Sequence, residues 1–133
     1  FSNIMGLTHD GKVLYHSVDG YTDPHFYDKC SNVTQVDCYS HYYGSDSSAV
    51  LLSDGTVVSD TFIGVDKWTD IVNFSVGDNN IVGLKRNGTI EVVGLNKTQN
   101  IIKDWKDIAC IECKFFGIIA ITNRGEILFC FDH

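Results

Sequence analysis

Proline is nearly absent from the 133-residue sequence, where Pro24 stands alone against twelve glycines. Basic residues are also scarce: ten Lys and Arg face seventeen Asp and Glu, for a formal charge of −7. A phosphate backbone is held by clustered cations, and no local block of them exists here, so nucleic acid and anionic membrane surfaces are not expected partners. No apolar run approaches the roughly 18 residues of a membrane span, and no charged-then-apolar leader opens the sequence. The first residue is Phe1 rather than Met, which reads as a processed product or an excised piece. A Gly-rich phosphate loop, a Gly-x-Ser-x-Gly elbow and a His-Glu-x-x-His helix are all missing, so neither an enzyme nor a cofactor is expected. Apolar residues at sustained three-and-four spacing, the mark of amphipathic helices, are equally hard to find.

What is present is ordinary globular composition, 44% hydrophobic and 20% charged, at the length of one domain spanning residues 1–133. Short Val, Ile, Leu and Phe runs punctuated by Gly, Asn and Asp predict a mostly β chain. Four segments share one pattern: Met5 to Val13, Ala49 to Val57, Val82 to Ile90 and Ile119 to Ile127. Their glycines, Gly11, Gly55, Gly88 and Gly125, follow one another at 44, 33 and 37 residues. Each sits where a hairpin turn needs positive φ, which predicts four β-hairpins. Between the paired apolar positions stands a small residue in three cases, Gly6, Gly83 and Ala120, with Val50 in the fourth. A small side chain at a fixed strand position predicts close approach of another layer.

A second element precedes the last two hairpins. Trp68-Thr69-Asp70-Ile71 and Trp105-Lys106-Asp107-Ile108 each place the Ile 17 residues before the turn glycine, Ile71 before Gly88 and Ile108 before Gly125. The units fall at roughly 1–29, 30–66, 67–103 and 104–133. The second has no Trp, and either Cys30-Ser31-Asn32-Val33 or Thr34-Gln35-Val36-Asp37 is left to fill its first strand.

Trp-x-Asp-Ile followed by Gly-Leu-Lys-x-Asn-Gly-Thr-Ile resembles the repeat of the regulator of chromosome condensation family, most of all its short bacterial-type repeats. The resemblance covers residues 45 to 131 well, and the first 44 only through the Asp10-Gly11 hairpin. It implies blades of a β-propeller made of antiparallel strands, usually seven blades of about four strands. The chain departs from the family where a His commonly precedes the first hairpin strand: Asn3, Ser47, Asn80 and Gly117 stand there instead. About three and a half repeats fit into 133 residues, which implies a partial propeller. A partial ring leaves sheet faces uncovered, so three arrangements follow: a piece of a larger propeller, a homodimer completing a ring, or a compact variant.

Among groups that carry chemistry, Cys110-Ile111-Glu112-Cys113 together with Cys30 and Cys38 defines an alternative, a zinc-stabilised or metal-dependent module. The alignment of Cys110 with Asn73 and Cys113 with Val76 instead puts both on one strand, facing opposite ways, as core-strand cysteines. A Cys30–Cys38 disulfide is a third possibility. Asn32, Asn73, Asn87 and Asn96 open Asn-x-Ser/Thr acceptors for glycosylation, yet Asn87 belongs to a turn and Asn73 to a strand. His9, His16, His25 and His41 lack a ligand spacing and read as loop residues.

All six tyrosines precede residue 44. Such clustering suits a protein-contact surface, because Tyr offers large area at low entropy cost. Tyr21, Phe26, Tyr27, His41, Tyr42 and Tyr43 are the expected partner-binding residues. The expectation is therefore a non-enzymatic protein-interaction module binding or inhibiting another protein through blade loops. The alternative from another class is a structural repeat segment of a larger propeller or surface assembly, contacting its neighbouring repeats. Net acidity removes the chromatin role that the family name suggests.

Overall fold

The four glycine turns, three of them Asn/Asp-Gly and the last Arg124-Gly125, and their alternating flanks build four small antiparallel sheets in a computed structural model that describes residues 3–16, 23–40, 46–94, 99–115 and 117–131. Sheet 1 pairs β1 (Ile4–Leu7) with β2 (Val13–His16). Sheet 2 runs β3 (Val33–Tyr39), β4 (Ser47–Leu52) and β5 (Val57–Val58). Sheet 3 runs β6 (Ile71–Val76), β7 (Ile81–Lys85) and β8 (Ile90–Val93). Sheet 4 runs β9 (Ile108–Lys114), β10 (Gly117–Thr122) and β11 (Ile127–Phe131). The chain is all-β apart from short helical turns at Phe26–Lys29, Val65–Lys67 and Gln99–Ile102. Among the described residues no helix is long and apolar enough to cross a membrane.

The turn glycines all adopt positive φ, from 79° at Gly11 to 86° at Gly55. Their carbonyls then hold the next sheet. The Val33 amide donates to the Gly11 carbonyl at 3.1 Å, Ile71 to Gly55 at 3.0 Å, and Ile108 to Gly88 at 3.0 Å. In each case the residue just before the donor is left-handed, Asn32 at φ 60°, Asp70 at 58° and Asp107 at 55°, a region that Asn and Asp tolerate best after glycine. Its own carbonyl accepts from the hairpin of its own sheet: Asn32 from Ser53, Asp70 from Arg86, Asp107 from Asn123. The open question about the second unit is answered by this geometry. β3 begins at Val33, and Cys30 occupies the place of Trp68 and Trp105, at the end of the preceding helical turn.

Three apolar clusters join the sheets in chain order. Tyr27, Val33 and Val50 are buried at the first junction, with Met5, Val13 and Tyr15 packed against them. Ala49, Leu51, Val57, Trp68, Ile71, Phe74, Val76 and Ile81 belong to the second. The third joins Val82, Leu84 and Ile102 to Ile108, Ile111, Cys113, Ile118 and Ala120. The close approach expected at the small strand residue is present at Gly83, where a Cβ would stand 2.8 Å from Trp68 Cζ3.

Polar bridges reinforce the junctions, as buried polar groups require. The Asn3 amide donates to Ser40 Oγ at 2.8 Å, Ser47 Oγ to the Asp78 carbonyl at 3.0 Å, and Asn80 Nδ2 to the Phe115 carbonyl at 3.2 Å. These are the positions where the resembled family places His.

Candidate functional site

Of the six residues expected to contact a partner, Tyr21, His41, Tyr42 and Tyr43 lie outside the described residues. Phe26 is half-buried and meets Tyr27 edge-on at 4.9 Å between ring centroids. Tyr27 itself requires a correction. It is 1% exposed, at the same point of its helical turn as buried Val65 and Ile102, so it fills the core and offers no contact surface. Ser48 Oγ donates to Asp60 Oδ1 at 2.8 Å, and the single phenol proton of Tyr27 is within reach of Ser48 Oγ at 2.8 Å and of the same Asp60 oxygen at 3.2 Å. Burial drives the phenol pKa far above its ordinary value of 10.0, so the group stays neutral and bound within the fold.

Exposed apolar residues among the described ones lie on sheet 1, at Ile4, Leu7 and Leu14, and in greater number on sheet 4. Strand alternation sends Ile118, Ala120, Leu128 and Cys130 toward sheet 3 and Ile119, Ile121, Ile127, Phe129 and Phe131 outward. Cross-strand pairing groups Ile119 with Phe129 and Ile121 with Ile127. In sheet 3 the same pairs are Val82 with Val92 and Leu84 with Ile90. There, Val82 is 0% and Leu84 5% exposed beneath sheet 4, whereas Ile119 is 46% and Ile121 41% exposed. Sheet 2 buries Ala49 and Leu51 under sheet 3 in the same way. Sheet 4 thus presents the face that its predecessors bury, and an apolar patch of that kind marks an interaction surface.

Polar acceptors frame the patch. On β3, Asp37 pairs with Ala49 and its Oδ2 accepts the Val76 amide of the next sheet at 2.8 Å. On β6, Ser75 pairs with Val82 and its Oγ accepts the Cys113 amide of the next sheet at 3.0 Å. Glu112 on β9 pairs with Ile119 and occupies the third such position, exposed and 2.9 Å from Lys114 Nζ. Gly125 completes the frame. It has φ 83° like the other turn glycines, yet apart from its chain neighbours no heavy atom of the described residues lies within 4 Å of where its Cβ would be. At Gly11, Gly55 and Gly88 that point meets the Cα of Asn32, Asp70 and Asp107 at 3.2 Å.

Asp37 is a titratable group that bridges a junction, through its bond to the Val76 amide. Burial raises its carboxyl above the ordinary 3.8, outweighing the Val76 amide and the Lys114 charge that pull it down. The cysteines are free thiols in different settings. Cys110 is exposed, paired with Ile121 on the outward face, while Cys113 on the same strand is buried and its thiol contacts Asn80 Oδ1. Burial pushes the Cys113 thiol up to about 12, and thiols held protonated are poor nucleophiles and ligands. Among the described residues no three His, Cys, Asp or Glu side chains are grouped to hold a metal ion.

The acceptor asparagines differ in setting: Asn73 is on β6, and Asn87 Oδ1 accepts from the amide and hydroxyl of Thr89 within its turn. Asn32 is exposed at the left-handed position beneath Gly11, and Asn96 lies outside the described residues.

Glu112, Gly125 and the Ile119–Phe129 pair were not singled out as contact residues in the sequence. A signal for them exists: the outward positions of the last hairpin are as apolar as the buried ones before it. No family model matches the chain, and no curated protein matches it significantly.

Proposed function

We propose that the chain is a non-enzymatic protein-interaction module made of propeller-type repeats in partial-propeller arrangement, and that it docks its partner through the outward face of sheet 4. The observation that carries this reading is the exposure of Ile119 and Ile121 where sheet 3 buries Val82 and Leu84, beside exposed Ile127 and Phe129 where sheet 3 has partly buried Ile90 and Val92. The resemblance to the regulator of chromosome condensation repeat supports the same architecture. The partner's contact surface is itself apolar and bears no excess of acidic groups, since the chain carries −7.

Paired variants in a binding assay test this reading. Ile119→Lys with Phe129→Lys alters the face alone, and Tyr42→Ala with Tyr43→Ala alters the tyrosine segment alone. Loss of partner capture with the first pair and retention with the second is expected. The reverse pattern would move the contact surface to the tyrosine segment.

A further inference from the structure

The second repeat unit lacks an aromatic ring that its successors carry. Trp68 and Trp105 lead into sheets 3 and 4, whereas Cys30 leads into sheet 2. In sheet 3 the Trp68 ring covers Gly83, and the neighbouring Lys85 Nζ and Glu91 Oε1 are paired at 2.9 Å. The residues 33 positions earlier, together on one face of sheet 2, are Val50, Leu52 and Val58. An indole is thus missing where the strand face beside it has become apolar. A cavity of about 430 Å³ opens at this place, floored by Phe26, Cys30, Leu52 and Val58, and its size is that of small-molecule sites. All four floor residues are half-buried.

From the absent ring, the apolar floor and the charges at its rim, we infer that the cavity between the Phe26–Lys29 turn and sheet 2 binds a free aromatic amino acid of tryptophan size. The cavity belongs to the junction of sheets 1 and 2 and is independent of the docking face on sheet 4. The ligand ring takes the room that Trp68 fills beside sheet 3, where buried aromatic area supplies most of the binding energy. The rim supplies one open charge of each sign. Lys29 has no ion pair among the described residues, and Asp23 accepts the His25 amide at 2.9 Å through Oδ1 alone. His25, also at the rim, is held through Nδ1 by Asp28 Oδ2 at 2.9 Å. Lys29 therefore suits the ligand carboxylate and Asp23 its ammonium group. An aromatic bearing a single charge gains only one of these partners and faces a like charge at the other.

Calorimetry on the full chain with L-tryptophan, indole and N-acetyl-tryptophanamide tests the site. Maleimide labelling of Cys30 is the local readout, with exposed Cys110 as its control. L-Tryptophan is expected to bind once per chain, about tenfold tighter than indole through two exposed ion pairs. At about ten times its dissociation constant it slows Cys30 labelling roughly tenfold by mass action and leaves Cys110 unchanged. Lys29→Met and Asp23→Asn are each expected to weaken L-tryptophan about threefold and leave indole unchanged. Cys30→Trp fills the cavity and abolishes binding. Leu52→Lys with Val58→Glu, which copies the Lys85–Glu91 pair at half-buried positions, does the same without entering the core. Unchanged Cys30 labelling with every probe overturns the site, as does full binding by the paired variant. N-acetyl-tryptophanamide binding as tightly as L-tryptophan overturns the free amino acid in favour of a partner protein's tryptophan side chain. Cys30 labelling as slow as that of buried Cys113 without any probe would show a closed cavity and overturns it too.

Discussion

The ring of Trp68 lies directly on the backbone of Gly83, close enough that a Cβ there would approach Cζ3 and Cε3 at 2.8 and 2.9 Å. Gly83→Ala is therefore expected to cost about 1–3 kcal/mol through overpacking, read from urea unfolding. Combining it with Trp68→Phe, which withdraws the outer ring, is expected to cost less than the sum of the two single changes. Strict additivity would show that the two residues do not share this contact.

Gly55 and Gly125 have nearly the same backbone conformation but different surroundings. Alanine at either position bears the left-handed cost of roughly 1–2 kcal/mol. At Gly55 the new Cβ also meets the Asp70 backbone at 3.2 Å, whereas at Gly125 it meets open space. Gly55→Ala is thus expected to be the more destabilising by about 1 kcal/mol. Equal losses would mean that the junction at Asp70 yields freely.

Asp37 makes one junction sensitive to pH. Its carboxyl is raised in the folded chain, so the folded state binds more protons than the unfolded state between 3.8 and that raised value. Its contribution is full below 3.8 and is lost as pH rises through the folded value. Asn keeps an oxygen for the Val76 amide and carries no charge. Asp37→Asn should therefore gain on the wild-type chain as pH rises across this window, measured by thermal midpoints. A gain that appears on acidification instead would contradict the half-buried, raised carboxyl.

The thiols should divide by environment. Cys110 is exposed, while Cys113 is buried with its pKa pushed up to about 12. Labelling of the native chain at neutral pH should modify Cys110 at least 100-fold faster than Cys113, a ratio consistent with thiolate control of reactivity. Comparable rates would indicate that β9 opens readily from sheet 3.

The hairpins were legible in the sequence because turn chemistry is local: Asp-Gly and Asn-Gly specify φ without help from distant residues. Placement of Cys110 and Cys113 on opposite faces of one strand followed from the repeat alignment and is what β9 shows. β3 was harder to place because Cys30 stands where its sister units have Trp; the shared Asn/Asp-Val/Ile step, Asn32-Val33 beside Asp70-Ile71, was the usable signal. Tyr27 was misread since tyrosine serves interfaces and cores alike. Its alignment in Tyr27-Asp28-Lys29 with Val65-Asp66-Lys67 would have pointed inward. Alternation in the last hairpin identified two faces of a strand, but only the three-dimensional order of the sheets shows which face is uncovered.

Leu84 and Ile121 hold the same position in sheets 3 and 4, the former covered and the latter open. The most direct measurement is the stability of Leu84→Lys against Ile121→Lys by denaturant unfolding. Burying an unpaired ammonium at residue 84 should cost more than about 3 kcal/mol or prevent folding. At residue 121 the change should stay within about 0.5 kcal/mol, as for other surface substitutions, and reduce binding of an apolar dye. Comparable losses at both positions would contradict the account, because sheet 4 would then already be covered and its face would have no partner to receive.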